Sequence, residues 1–303
     1  MTYYEICWNF LMYSFFGWCL EVVYQAVKRG KIINRGFLCG PVCPLYGFGV
    51  LAVFSLTKSD ILAKVGLPAS VLQESNDFKS ILVVFAAGVF LATGVELIAG
   101  WLLDVLFHAR WWDYSKMPLN LNGYICAGFS LIWGLAVVFV VKLVHVFIYN
   151  VTSGLIPEKY GWPILIAVYA VFILDATVTV LTLIGLNKKL EELDRISASI
   201  KRVSDRMTDN FGNTSLKVTQ KAQESAVQAS LAKAELRDAR LESRESLELR
   251  LKELQDKYET LRETVIRHRH FGAGRILNAF PDAKHRDYDQ ILTEIKNRIK
   301  AVR

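Results

Sequence analysis

The stretch GVELIAGWLLDVLF, residues 94–107, sets two carboxylates into an otherwise apolar run. At about 100° per residue, Thr93, Glu96, Gly100 and Asp104 fall on one stripe of a helix. An ionisable group inside a membrane span costs several kcal/mol unless it is paired or hydrated, so the stripe is expected to face the interior of a bundle. Small residues on it let neighbouring helices approach closely.

Working outward, runs of roughly 20 apolar residues are long enough to cross a bilayer as helices. Five are expected, at about 3–27, 42–57, 81–107, 124–149 and 162–187. The second is short and opens with Pro41 and Pro44, which reads as a half-span or as a helix starting below the surface. The first contains Glu21 and lacks a basic leader, so it reads as a retained helix and not as a signal peptide. Charge divides the chain at the end of the fifth run. Residues 1–187 carry 11 Lys and Arg against 10 Asp and Glu, whereas 188–303 carry 25 against 19. The expected fold class is therefore all-α: a polytopic membrane helix bundle of about five spans, followed by a charged helical tail.

An internal repeat sits within the bundle. GWCLEVVY (17–24) matches GWLLDVLF (100–107), GFLCG (36–40) matches GYICA (123–127), and Tyr46-Gly47 matches Trp133-Gly134. Both copies run in the same direction, so they are expected to be parallel repeats about an axis along the membrane normal, repeat one near 10–57 and repeat two near 93–149. The alignment pairs Glu21 with Asp104 and Arg35 with Asn122. On the first helix, Ser14, Gly17, Glu21 and Gln25 form the stripe that corresponds to the one on the third.

The loop NRGFLCGPVCPLYGFG (34–49) is rich in glycine and proline, which allows non-helical backbone at membrane depth where protein or a wet cavity surrounds it. Arg35 would enter beside Glu21, and backbone N–H groups at the start of the second helix favour an anion there. A tight turn with Arg35 at the lipid headgroups is the alternative. In the second copy, RWWDYSKMPLNLNG (110–123) offers Asp113 and Asn122 to a site, while Trp111, Trp112 and Tyr114 suit the membrane interface. Asp175, Thr179 and Thr182 give the fifth span a polar stripe. The candidate substrate-binding set is Glu21, Arg35, Glu96, Asp104, Asp113 and Asn122.

Lys28, Arg29, Lys31 and Arg35 in the first loop, with Lys188 and Lys189 after the fifth span, put the N-terminus outside and the tail in the cytosol. The C-x3-C pair Cys39 and Cys43 lacks the further ligands of a metal site, so no metal or cofactor is expected. No P-loop, zinc-protease spacing or serine nucleophile elbow occurs. An ATPase would have to be a separate chain.

The motifs FFGWCLEVVY, NRGFLCGPVCPLYGFG, GVELIAGWLLDVLF and WWDYSKMPLNLNGYICAGFSLIWG resemble the bacterial family named "putative ABC-transporter type IV", the CmpB-type permeases, to which small animal transmembrane proteins are related. The resemblance covers roughly residues 4–150, and RILNAFPDAKHRDYDQILTEIKNRI (275–299) resembles the segment after the spans in some members. It implies an inner-membrane transport permease working with a separate ATPase subunit. It implies no substrate and no catalytic residues.

From Lys188 to about Arg269 the chain lacks proline, and apolar positions recur at threes and fours in two seams, Leu193 to Met207 and Leu247 to Val265, separated by DNFGNTS (209–215). These seams suggest a coiled-coil-like hairpin or long helix able to form homo-oligomers. A last amphipathic helix is expected after Pro281. The expected division is 1–187 transmembrane, 188–270 coiled-coil-like and 271–303 a C-terminal helical segment. Interleaved acids make a solvated face the reading for the tail, with lipid as a partner and no nucleic acid. Three functions remain open: a permease-like component with a polar intramembrane site, a membrane-embedded enzyme acting on a lipid or phosphorylated head group, and a membrane-anchored scaffold or sensor.

Overall fold

The computed structural model describes residues 2–30, 32–57, 78–145, 147–148, 156–220, 226–267 and 272–301. Helix α1 (Tyr3–Arg29) opens on a capping box, in which the Thr2 hydroxyl accepts from the Glu5 N–H and the Glu5 carboxylate accepts from the Thr2 N–H. It ends at Gly30, whose φ of 66° is left-handed and suits a residue without a Cβ. Helices α2 (Pro44–Thr57), α3 (Phe78–Phe107) and α4 (Ala127–Phe139) come next, α4 continuing as a π-helical turn over Val140–Val144. Helix α5 runs from Glu158 to Gln220, α6 spans Ala226–Ile266, α7 Ala273–Ala279 and α8 Asp289–Ala301. The described residues also form two antiparallel two-residue ladders: β1 (Ala109–Arg110) with β4 (Lys284–His285), and β2 (Asn120–Leu121) with β3 (Ile125–Cys126).

The chain forms two compact units, Met1–Ile184 with Arg269–Asp289, and Gly185–His268 with Gln290–Arg303. In the first, the usual pattern of burial is inverted. Apart from Val84 and Phe107, helix α3 buries small or polar residues, Ser80, Gly88, Ala92, Glu96, Gly100 and Asp104, while Phe90, Ile98, Trp101 and Leu106 are exposed. Fully burying one such large apolar side chain is worth about 1.5–3 kcal/mol, so this surface calls for a lipid solvent. Among the described residues, four helical stretches are long and apolar enough to cross a membrane: Tyr3–Lys28, Phe78–Phe107, Ala127–Val144 and Glu158–Thr208. The expected second span is the short α2 of 14 residues, about 21 Å long and too short to cross a hydrocarbon core of about 30 Å unaided. Gly88 and Gly134 let α3 and α4 touch, since a Cβ on Gly88 would stand 3.1 Å from the Gly134 Cα. An aliphatic and aromatic core around Tyr13, Val53, Phe54, Val84 and Val137 fills the space between α1, α2, α3 and α4.

The second unit joins the charged part of α5 to α6 and α8. Leu190, Leu193, Ile196, Val203, Val265, Leu292 and Ile295 are buried, and Lys257 pairs with Glu192 at 3.5 Å. Arg262 lies buried between Glu259 and Glu294, and the Tyr258 hydroxyl donates to Glu294 at 2.8 Å. The stretch 209–215 between the two seams does not interrupt the backbone: α5 remains helical through Gln220. The last helix expected after Pro281 is α8, and a further short helix, α7, precedes that proline.

Candidate functional site

The loop between α1 and α2 lies deep beside α1. The Cys43 N–H donates to the Ser14 carbonyl at 2.9 Å, about two turns before Glu21 along α1. Helix α2 thus begins below the end of α1, which accounts for its length. Side chains satisfy several of the loop's backbone groups. The Trp18 indole donates to Asn34 Oδ1 at 2.7 Å, while Asn34 accepts from the Gly36 N–H and donates to the Cys39 carbonyl. Asp175 on α5 takes the Cys39 N–H at 3.0 Å and the Gly40 N–H at 2.7 Å. A Cβ at Gly40 would stand 3.2 Å from that carboxylate, which explains the glycine. On the other side Arg275, buried to 7% exposure, donates to the carbonyls of Gly36, Phe37 and Leu38 at 3.1, 2.8 and 3.0 Å.

Held this way, the loop brings Arg35 to Glu21, with Nη1 3.4 Å from Oε2 and side-chain exposures of 22% and 27%. The Tyr46 hydroxyl donates to the other oxygen of Glu21 at 2.8 Å. Tyr46 reaches it across Gly17, where a Cβ would come within 2.2 Å of the ring.

The loop between α3 and α4 also folds inward. Arg110 Nε and the Tyr124 hydroxyl donate to Asp104 at 3.1 and 2.7 Å. Tyr114 goes further and donates to Glu96 at 3.1 Å, two turns up α3 from Asp104. Glu96 also accepts from the Trp133 indole at 2.9 Å, and it has no ion-pair partner among the described residues. Of the aromatic residues expected at the interface, Tyr114 bonds Glu96 and buried Trp111 packs on Phe37 and Phe280, while Trp112 is half-buried and donates to the Tyr124 carbonyl. Tyr46 and Trp133 meet edge to face with ring centroids 5.3 Å apart, so one chain of contacts runs from Arg35 through Glu21, Tyr46 and Trp133 to Glu96.

The remaining candidates lie elsewhere. Asp104 belongs to its own cluster with Arg110 and Tyr124. Asp113 pairs with Lys284 at 2.6 Å and accepts from the Ser115 N–H. Burial raises the Asp113 pKa, but the bonds from Lys284 and Ser115 outweigh it and leave the carboxyl at about 2. Asn122 is exposed, has a left-handed φ of 50° and offers its carbonyl to Arg110, so it shapes a turn and is no counterpart of Arg35. Asp104 is bonded by Arg110 and Tyr124, as Glu21 is by Arg35 and Tyr46. Sequence reasoning missed Tyr124 and Arg275. A single charge inside the apolar FGAGRILNAF was the signal for the latter.

Intramembrane acids, inward-folded loops and an apolar exterior define a multi-pass helical membrane protein. Within that class the chain belongs to the family described as "Putative ABC-transporter type IV", which matches residues 8–180. The match runs past the expected limit near 150 into the fifth span, and it stops before the 275–299 segment. No curated protein and no solved structure matches the chain, so the kinship with small animal transmembrane proteins gains no support.

Proposed function

We propose that the chain is a permease-like component whose polar site is the line Arg35, Glu21, Tyr46, Trp133 and Glu96. The observation that carries this reading is the Arg35–Glu21 pair, which is partly exposed although non-helical backbone has been carried inward to form it. A guanidinium stays charged and forks onto carboxylate or phosphate, so Arg35 can exchange Glu21 for an anionic group. Glu96, bonded among the described residues only by neutral donors, is the acid that can take up a proton without breaking an ion pair. Asp104, Asp113 and Asn122 support the second loop in this scheme instead of binding substrate.

The two helix pairs are read as parallel repeats. In each, a glycine one turn before the acid makes room for a tyrosine that bonds it, Gly17 with Tyr46 and Gly100 with Tyr124, and an arginine from the next loop completes the set. Tyr46 and Trp133, equivalent in the alignment, touch each other, as residues near a pseudo-two-fold axis do. The packing registers differ: Gly47 sits on Phe10 and Ser14, but Gly134 sits on Phe85 and Val89, about two turns earlier in its partner than the alignment requires. The division into 1–187, 188–270 and 271–303, an external N-terminus with a cytosolic tail, oligomerisation through a coiled-coil tail, a bacterial inner-membrane location and a separate ATPase subunit belong to the same proposal.

The test is native mass spectrometry of the protein in nanodiscs containing phosphatidylglycerol, comparing wild type with Arg35→Lys and Arg35→Ala. Wild type is expected to retain an anionic lipid or solute that Arg35→Lys holds at least tenfold less well and Arg35→Ala loses, all three remaining folded. Equal retention by all three would remove the anion site.

A further inference from the structure

The segment from α7 to the start of α8 crosses both inward-folded loops, and its sharpest feature is His285. The residue is 4% exposed. Nδ1 accepts from the backbone N–H groups of both Asp287 and Tyr288, at 3.2 and 3.1 Å. The proton of the neutral ring must therefore sit on Nε2, which is buried without a hydrogen-bond partner among the described residues. Around this ring, β4 pairs with β1, the Arg286 N–H donates to the His108 carbonyl at 2.7 Å, and Lys284 holds Asp113. Arg275, Ile276 and Ala283 of the same segment are buried, Arg275 on the first loop and the other two beside Phe107 and Trp111.

We propose that residues 272–289 form a pH-sensitive strap across the two loops, with His285 as the group whose protonation releases it. A proton on Nδ1 would point that atom's new N–H at two other N–H groups. Both bonds would be lost, and a cation would be left in a buried site. Burial already lowers the His285 pKa, so the neutral, closed form is the one the fold stabilises.

The charged surroundings do not reverse this. Asp287 and Asp289 on the strap favour the cation, while Arg286 on the strap and His108 on the β1 side oppose it. Asp289 Oδ1 is engaged by the His285 N–H at 3.2 Å. His108 is the neighbouring imidazole: its Nδ1 accepts from the Arg286 guanidinium and lies 3.7 Å from Asp287. The sign is set by the lowered pKa. Closure is fully favoured above the free-imidazole value of about 6.5 and weakens as pH falls below it, by at most about tenfold per pH unit for one proton.

The test is hydrogen–deuterium exchange of the full chain in nanodiscs from pH 7.5 to 5, corrected for intrinsic exchange, read on peptides covering 281–289. Protection at the Asp287 and Tyr288 amides is expected to fall up to tenfold per unit below about pH 6.5. His285→Asn keeps an acceptor near the Nδ1 position and cannot charge, so its protection should no longer vary with pH, while that of His108→Gln should still vary. Protection that is flat in wild type, or a dependence lost in His108→Gln but kept in His285→Asn, overturns the proposal. If His285→Asn does not fold, 15N imidazole shifts of the wild type decide. An Nε2–H ring titrating below about 6.5 supports the strap, and an Nδ1–H ring or a higher midpoint refutes it.

Discussion

Arg275→Ala should free the first loop without unfolding the bundle. The guanidinium makes three hydrogen bonds to neutral carbonyls, each worth about 1.5–3 kcal/mol when one partner is charged. They share one group and do not add fully, and two of the residues left behind, Gly36 and Leu38, are buried. The expected loss is about 3–5 kcal/mol. At about 1.4 kcal/mol per decade, the local opening of residues 36–40 becomes at least about a hundredfold more frequent. Hydrogen exchange at the Cys39 and Gly40 amides, which bond Asp175, reads this directly. Arg275→Lys should fall between, because an ammonium has three donors but no rigid fork. Unchanged exchange in a folded Arg275→Ala protein would mean that the grip is incidental and that Asp175 alone holds the loop.

Gly17→Ala should destabilise the protein by more than about 2 kcal/mol, because its Cβ would overlap the Tyr46 ring at 2.2 Å. Gly100→Ala, whose Cβ would stand 3.2 Å from Trp112 and Tyr124, should cost clearly less; thermal unfolding in detergent ranks the two, and the reverse order would contradict the packing. Asp113 has a lowered pKa, so its stabilisation is complete above about pH 4 and disappears as pH falls through about 2. Since Lys284 is half exposed, the effect is about 1–2 kcal/mol, and Asp113→Asn should remove that part of the acid transition in a pH-dependent unfolding series.

The spans and their inward stripes were legible because spacing and chemistry agree there. Ser14, Gln25, Glu96 and Asp104 recur at helical intervals in apolar runs, and all four are buried. The closeness of Arg35 and Glu21 was also readable, since a short loop joins them. The features that escaped were set by distant parts of the chain. Asn122 looked available because the alignment placed it opposite Arg35, yet its left-handed φ gives it a turn's work. Tyr114 and Trp111 carried the composition of an interface belt, but ring packing and the bond to Glu96 drew them inside. Asp175 and Arg275 lie more than 130 and 230 residues from the backbone they grip, and no local periodicity encodes such a bond.

Those two grips bear on the purpose of the loop. A helix satisfies its own backbone, so continuing α1 and α2 through residues 31–43 with a tight turn at the surface would have needed no distant partner. Instead the chain runs non-helical beside α1, with a carboxylate from α5 taking its N–H groups and a guanidinium from the C-terminal segment taking its carbonyls. Such backbone holds only where its surroundings over-determine it. The position it secures is that of Arg35 against Glu21, and the same loop meets the second one through Phe37 and Trp111. Removing either grip should therefore weaken the Arg35–Glu21 pair before it weakens the bundle, and Asp175→Asn, which keeps one acceptor of two, should do so less than Arg275→Ala.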